Sequence, residues 1–157
     1  MGSSIVLGVG NILLSDDGAG VHAAQILAQR LPTPSEIRVL DAGTLGFALL
    51  GYLEDADRLI VFDAADFGAE PGTVRCLECA ALDGFLTDVT RKRSVHEVGL
   101  AELLDMARLQ ETLPPSRALI CIQAQDLKWG TEPTAPVRAG ALRAAEEALR
   151  ILERWQS

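Results

Sequence analysis

Cysteine is scarce in this chain of 157 residues: there are three, an odd number that does not make a disulfide framework. Cys76 and Cys79 form a C-x-x-C, but Val74 to Cys79 reads as a strand, whereas a redox pair opens a helix, and no second pair completes a zinc cage. Both are expected to be structural, as is Cys121 inside an apolar run. Long hydrophobic runs are also missing. Stretches such as Leu59 to Phe62 and Ala118 to Ile122 are far shorter than the ~20 residues of a membrane-spanning helix. Met1 to Val9 has no basic segment ahead of its apolar run, so no secretion signal is expected and the cytoplasm is the expected location. Positive charge is in deficit, with 14 Lys and Arg against 22 Asp and Glu and a net charge of −8, which opposes attraction to nucleic acid or anionic lipid. Also absent are a serine in a nucleophile-elbow context, an H-E-x-x-H zinc motif, a P-loop lysine and any internal repeat.

What remains is an ordinary globular balance, 48% hydrophobic and 23% charged. By area scaling, a chain of this size exposes roughly 24,000 Å² unfolded and roughly 7,700 Å² folded, enough burial for one self-supporting domain over 1–157. Short β-branched runs alternate with segments of helical period, the pattern of a three-layer α/β/α fold around a mostly parallel, five-stranded, twisted sheet. The strands read as Ser4–Gly8, Glu36–Leu40, Arg58–Asp63, Thr73–Cys79 and Ala118–Gln123. The first, third and fifth are uninterrupted enough to lie centrally, while the fourth belongs nearer an edge. Helices are expected at Asp17–Leu31, Leu45–Leu53, Val98–Leu109 and Pro136–Trp155, the first capped by Ser15 or Asp16. The first helix is expected to bury Val21, Ala24, Leu27, Ala28 and Leu31, and the last Ala141, Leu142, Ala145, Ala148, Leu149 and Leu152. Segments 80–95 and 126–135 read as irregular connections suited to binding.

The densest signal follows the first strand: Gly8-Val9-Gly10-Asn11-Ile12-Leu13-Leu14-Ser15-Asp16-Asp17-Gly18. A dinucleotide fingerprint places G-x-G here too, but Leu13 stands where its third glycine belongs, and two carboxylates at the helix start repel a pyrophosphate. One acid suffices as a cap, which leaves Asp17 as a candidate ligand or base. Asp63 ends a buried apolar strand, where a charge is tolerated at the sheet's carboxyl edge or as a cap of the following turn. In a doubly wound sheet of order 2-1-3-4-5, strands 1 and 3 are neighbours and a ligand crevice opens between them, so Asp17 and Asp63 converge there. His96 lies in a polar stretch just before a helix. One imidazole and two carboxylates form a donor set suited to Zn, Ni, Mn or Co. The other histidine, His22, falls within the first helix and reads as structural or exposed.

In order, Gly8-Val9-Gly10-Asn11 with Asp16-Asp17-Gly18, Asp41-Ala42-Gly43-Thr44, Asp63 followed by Pro71-Gly72-Thr73, and His96-Glu97-Val98-Gly99-Leu100 resemble the hydrogenase maturation endopeptidases over essentially the whole chain. The resemblance implies an endopeptidase that removes the C-terminal extension of the nickel-loaded large-subunit precursor of a [NiFe] hydrogenase, that precursor being its partner. By the same resemblance Asp17, Asp63 and His96 match the metal-contacting and catalytic positions, and Asp41 an acid that faces the substrate. Ala42 departs from the family's D-G-G-T at the first glycine. The implied metal is nickel presented by the substrate, with Zn, Cd or Ni as candidate occupants of the site. The competing reading of the residues is a non-proteolytic α/β module that binds a metal or a nucleotide.

Overall fold

The apolar runs pair side by side into one five-stranded sheet. A computed structural model describes residues 2–43, 46 and 48–157 and gives β1 (Ser4–Val9), α1 (Ala19–Arg30), β2 (Ile37–Gly43), α2 (Leu49–Glu54) and β3 (Arg58–Ala65). Next come β4 (Val74–Glu78), α3 (Ala80–Thr87), α4 (Val95–Leu109), β5 (Ser116–Gln123) and α5 (Ala135–Gln156). Thr44 and the expected helix start at Leu45 lie outside the described residues.

The spatial order is β2-β1-β3-β5-β4, with β1 parallel to β2 and β3, β3 parallel to β5, and β4 antiparallel to β5 at the edge. The fold class is the expected one, whereas the order 2-1-3-4-5 is corrected in its last two places. Burial explains the exchange. Residues Ala118 to Gln123 of β5 are buried without a break, which requires a strand and a helical layer on both sides, while β4 is half-buried and tolerates an edge. The three strands expected to be central, β1, β3 and β5, are the three inner ones.

Alternating side chains build two cores. Ile5, Leu7, Leu59, Val61 and Leu119 face α2, α3 and α4 through Leu53, Leu82, Leu86, Leu100 and Leu104. Val6, Ile60, Phe62, Ile120 and Ile122 face α1 and α5 through Leu27, Val137 and a row of alanines that lets the helices lie close. The described chain exposes 8073 Å², close to the scaling expectation.

Local differences have local causes. Segment 80–95 is not wholly irregular: Ala80–Thr87 is helical because Leu82 and Leu86, four apart, both enter the core. Helix α4 begins three residues earlier than expected, at Val95, with the Ser94 hydroxyl accepting from Glu97 N at 3.2 Å, and this puts His96 in the first turn. Ala28 and Leu142 are exposed instead of buried, their places in the core taken by Ala23 and Ala144.

Candidate functional site

Strand β1 leaves the sheet where β3 continues. Gly8 is level with Phe62, so Asp63 is the first residue of β3 beyond its pairing with β1, at the carboxyl edge. There the chain turns sharply at Gly10, whose φ of +133° excludes ordinary side chains and where a Cβ would strike the Asp17 carbonyl. The turn lets residues 11–18 fold back as a loop ending in one 3₁₀ turn, Ser15–Gly18, ahead of α1. Asp17 sits on that turn, its Oδ2 accepting from Asn11 N at 3.0 Å. From the opposite helical layer, α4 brings its first turn to the same edge.

The result is a mostly buried imidazole between two acids. His96 Nε2 lies 3.3 Å from Asp17 Oδ2, and His96 Nδ1 lies 3.5 Å from Asp63 Oδ1. Asp63 is 1% exposed, and burial pushes its carboxyl up to about 6, against the hydrogen-bonding and Coulombic pull of His96 and with repulsion from Glu97 and Asp17. His96 is raised in turn, chiefly by Asp63 across the 3.5 Å gap and then by the charges of Asp17 and Glu97, against its own desolvation. The Nδ1 and Oδ1 atoms that face each other are buried, and across 3.5 Å neither completes a hydrogen bond. Glu97, next in sequence, is committed elsewhere: its Oε2 accepts from Arg91 at 2.6 Å, and that guanidinium stacks 3.6 Å over the Phe85 ring.

Among the described residues, none beside these supplies an activated nucleophile. Cys121 is level with Asp63 on β5, but burial raises its thiol far above the ordinary range and keeps it protonated. The Ser15 hydroxyl donates to Lys128 O at 2.7 Å. The donor types suit a divalent ion, and the two orphaned buried atoms suit a ligand, but the two imidazole nitrogens face opposite acids. Among the described residues no three His, Cys, Asp or Glu side chains are gathered around one point. Binding one ion through all three donors therefore requires the His96 ring to turn.

A family model described as hydrogenase maturation protease matches residues 21–151. The chain belongs to the hydrogenase maturation protease family. It is 40% identical over 152 residues to the hydrogenase expression/formation protein HupD of Bradyrhizobium diazoefficiens, covering 96% of this chain and 78% of that one. Among solved structures it is similar to the hydrogenase maturating endopeptidase HybD of Escherichia coli, with a TM-score of 0.88 at 34% identity over 97% of this chain and 93% of that one. It is also similar to the [NiFe] hydrogenase maturation protease HybD of Thermococcus kodakarensis, with a TM-score of 0.81 at 30% identity over 95% and 98% of the two chains.

For a member of this protease family, the remaining acids fall into distinct places. Asp41 stands at the same sheet edge, level with Gly8 on the other side of β1 from Asp63; it is exposed, and its Oδ1 accepts from Gly43 N at 2.9 Å. It faces open solvent instead of joining the other three. Asp16 is not the cap of α1 that its position suggests: Gly18 holds that place, and the Asp16 carboxylate is fully buried. It accepts from Gln125 N, Asp126 N and Thr134 N at 2.9, 2.8 and 2.6 Å and from the Thr134 hydroxyl at 3.0 Å. Asp16 thus ties segment 125–134 to the loop that carries Asp17. A cleft of about 700 Å³ opens beside Asp17, lined by Phe67, Arg75, Phe85, Arg91 and Leu127 among others. Asp88, Arg91, Lys92, Arg93 and Ser94 form one of its walls.

Proposed function

We propose that this member of the maturation protease family removes the C-terminal extension of the nickel-loaded large-subunit precursor of a [NiFe] hydrogenase, acting in the cytoplasm. Asp17, Asp63 and His96 engage the nickel that the precursor brings, and Asp41 contacts the chain around the bond to be cut. The observation that carries this reading is the imidazole held between two acids, one of which, Asp17, lines an open cleft, with no activated serine or cysteine nearby. Such a site hydrolyses a peptide bond with water as the nucleophile.

The residues divide the work by their surroundings. Nickel in the precursor supplies Lewis acidity when it is present. Asp17 is less enclosed and meets His96 at Nε2, so these two atoms present a carboxylate and an imidazole to the incoming substrate from one side. Asp63, fully enclosed and facing Nδ1, is the partner with which the ring exchanges a proton. Hydrolysis moves one proton off the attacking water and delivers one to the departing nitrogen, and the Asp63–His96 pair is the group placed to carry it. Recognition of precursor nickel by these residues makes cleavage a report that the metal is in place. Nucleotide binding fits less well, because the Asp17 carboxylate already occupies the Asn11 N–H at the position a phosphate needs.

The test is incubation with nickel-loaded and nickel-free precursor followed by intact-mass measurement of both chains. A C-terminal peptide is expected to leave only the loaded precursor, and Asp17→Asn is expected to abolish its release while leaving the fold intact. Equal cleavage of both precursors refutes the role of nickel, and cleavage of neither refutes the protease reading.

A further inference from the structure

The loops that carry and brace the site also display large apolar side chains to solvent. Ile12 and Leu13 lie in the loop folded over Asp17, while Leu127 and Trp129 lie in the segment before α5, with Trp129 80% exposed. The two loops are joined along their backbones. Gly130 N donates to Leu13 O at 2.9 Å, Ser15 N donates to Gly130 O at 2.9 Å, and Asp16 N donates to Asp126 O at 3.0 Å. Leu14 and Gly130 form a parallel bridge. Beneath them the buried Asp16 carboxylate takes its three backbone N–H groups and one hydroxyl. A fully desolvated carboxylate is an expensive brace for a segment that contributes little to either core. Its effect is to hold Trp129 beside Leu13 on a rigid platform.

Together these four side chains expose apolar area on the order of 400 Å², the size of patch that marks an interaction surface on a monomer. The patch is continuous with the site, because Leu127 and Asp17 line the same cleft and Gly18, next to Asp17, packs so closely on Ile12 that no Cβ fits between them. We propose that this patch is the surface on which the folded large-subunit precursor docks while its C-terminal segment enters the cleft, with Trp129 as the central anchor. The inference rests on the function proposed above. The matching surface on the precursor is apolar. A tryptophan held on a fixed backbone loses little further freedom on docking, which suits it to be a hot spot.

Trp129→Ala tests this. With nickel-loaded precursor, kcat/KM is expected to fall about 10- to 100-fold through KM, with kcat within about twofold of the original. Trp129→Phe is expected to restore most of the loss, and the thermal midpoint of both variants to stay unchanged because the side chain is exposed. Affinity for the same precursor, measured without regard to cleavage, is expected to fall in parallel. Unchanged affinity and KM overturn the proposal, as does a loss confined to kcat. If the original chain binds the precursor without cutting it, the protease reading fails while the affinity of Trp129→Ala still decides the docking surface; if it neither binds nor cuts, both fail. Sedimentation closes the remaining routes: a dimer broken by Trp129→Ala with processing unchanged assigns the patch to a second copy and overturns the proposal, and vesicle binding lost in Trp129→Ala with processing unchanged assigns it to lipid and does the same.

Discussion

Asp63→Asn is expected to make the free protein more stable at pH 8 while leaving it unchanged near pH 4. Asp63 ionises near 6 in the folded chain against an ordinary 3.8, so between those values the folded state holds a proton that the unfolded state has lost. Stability therefore falls as pH rises through this window, because the folded state binds more protons than the unfolded one. At 1.36 kcal/mol per pH unit, the displacement corresponds to about 3 kcal/mol of stability lost from this one carboxyl. His96 acts in the same sense: raised above 6.5, it contributes stability that is complete below 6.5 and disappears as pH climbs through its folded value. Asparagine is nearly isosteric and neutral at every pH. It removes the first window outright, and it flattens the second by removing the main cause of the His96 shift.

The assay is urea unfolding of both proteins from pH 4 to pH 8, read as the difference between them, which cancels titrating groups elsewhere in the chain. The variant is expected nearly to match the original at pH 4, gain progressively between about pH 4 and pH 6, and exceed it by about 3 kcal/mol at pH 8. The variant is also expected to lose processing. A difference that is flat with pH, or a variant less stable at pH 8, refutes the reasoning: Asp63 then ionises as an ordinary carboxyl or its charge is fully compensated by His96. The expected outcome identifies the acid as a place where the fold gives up stability for chemistry.

Two further expectations concern the neighbouring acids and the partner. Asp16→Asn leaves one amide oxygen for four donors in a buried setting and is expected to cost about 2–4 kcal/mol in urea unfolding, whereas Asp17→Asn, which disturbs one backbone N–H, costs less than about 1 kcal/mol. Equal costs for the two substitutions contradict the division between a structural and a reactive acid. Processing is expected to slow between about 50 and 300 mM NaCl, since a net charge of −8 speeds encounter with a basic surface only where screening is weak. A rate independent of salt removes that surface from the account.

Much of the site was legible because its signals are local and redundant. Asp63 ends an uninterrupted apolar run, and an ionisable group there must emerge at a sheet edge or find a partner, although the strand itself continues to Ala65. Gly8-Val9-Gly10 stands directly after the first strand, and the φ of Gly10 shows why a glycine is needed where the chain leaves β1. Asp17 sits on the 3₁₀ turn ahead of α1 and His96 in the first turn of α4, on opposite faces of the sheet, and a crevice at the sheet's carboxyl edge is where such segments meet. Asp16 was read wrongly because capping is a local rule, and it competes here with donors from residues more than one hundred positions away. No spacing within a single loop reports a partner that distant. The orientation of the His96 ring, with one nitrogen toward each acid, was likewise invisible, since donor type says nothing of direction.

The misplaced strand shows which signals outrank others. A standard parallel order puts the fifth strand at the edge, whereas the composition of Ala118 to Gln123 demands cover on both faces. Composition prevails because exposing one face of Ile120 and Ile122 forfeits about 1.5–3 kcal/mol for each side chain. Topology yields at little cost: β4 needs only to reverse and pair antiparallel along the outside of β5. The same exchange shapes the site. With β5 beside β3, Cys121 instead of a residue of β4 lies level with Asp63, and its buried, protonated thiol adds no charge to the enclosure. Among the described residues that leaves His96 as the one group close enough to answer the Asp63 carboxylate, and burial holds this acid's ionisation up to about 6.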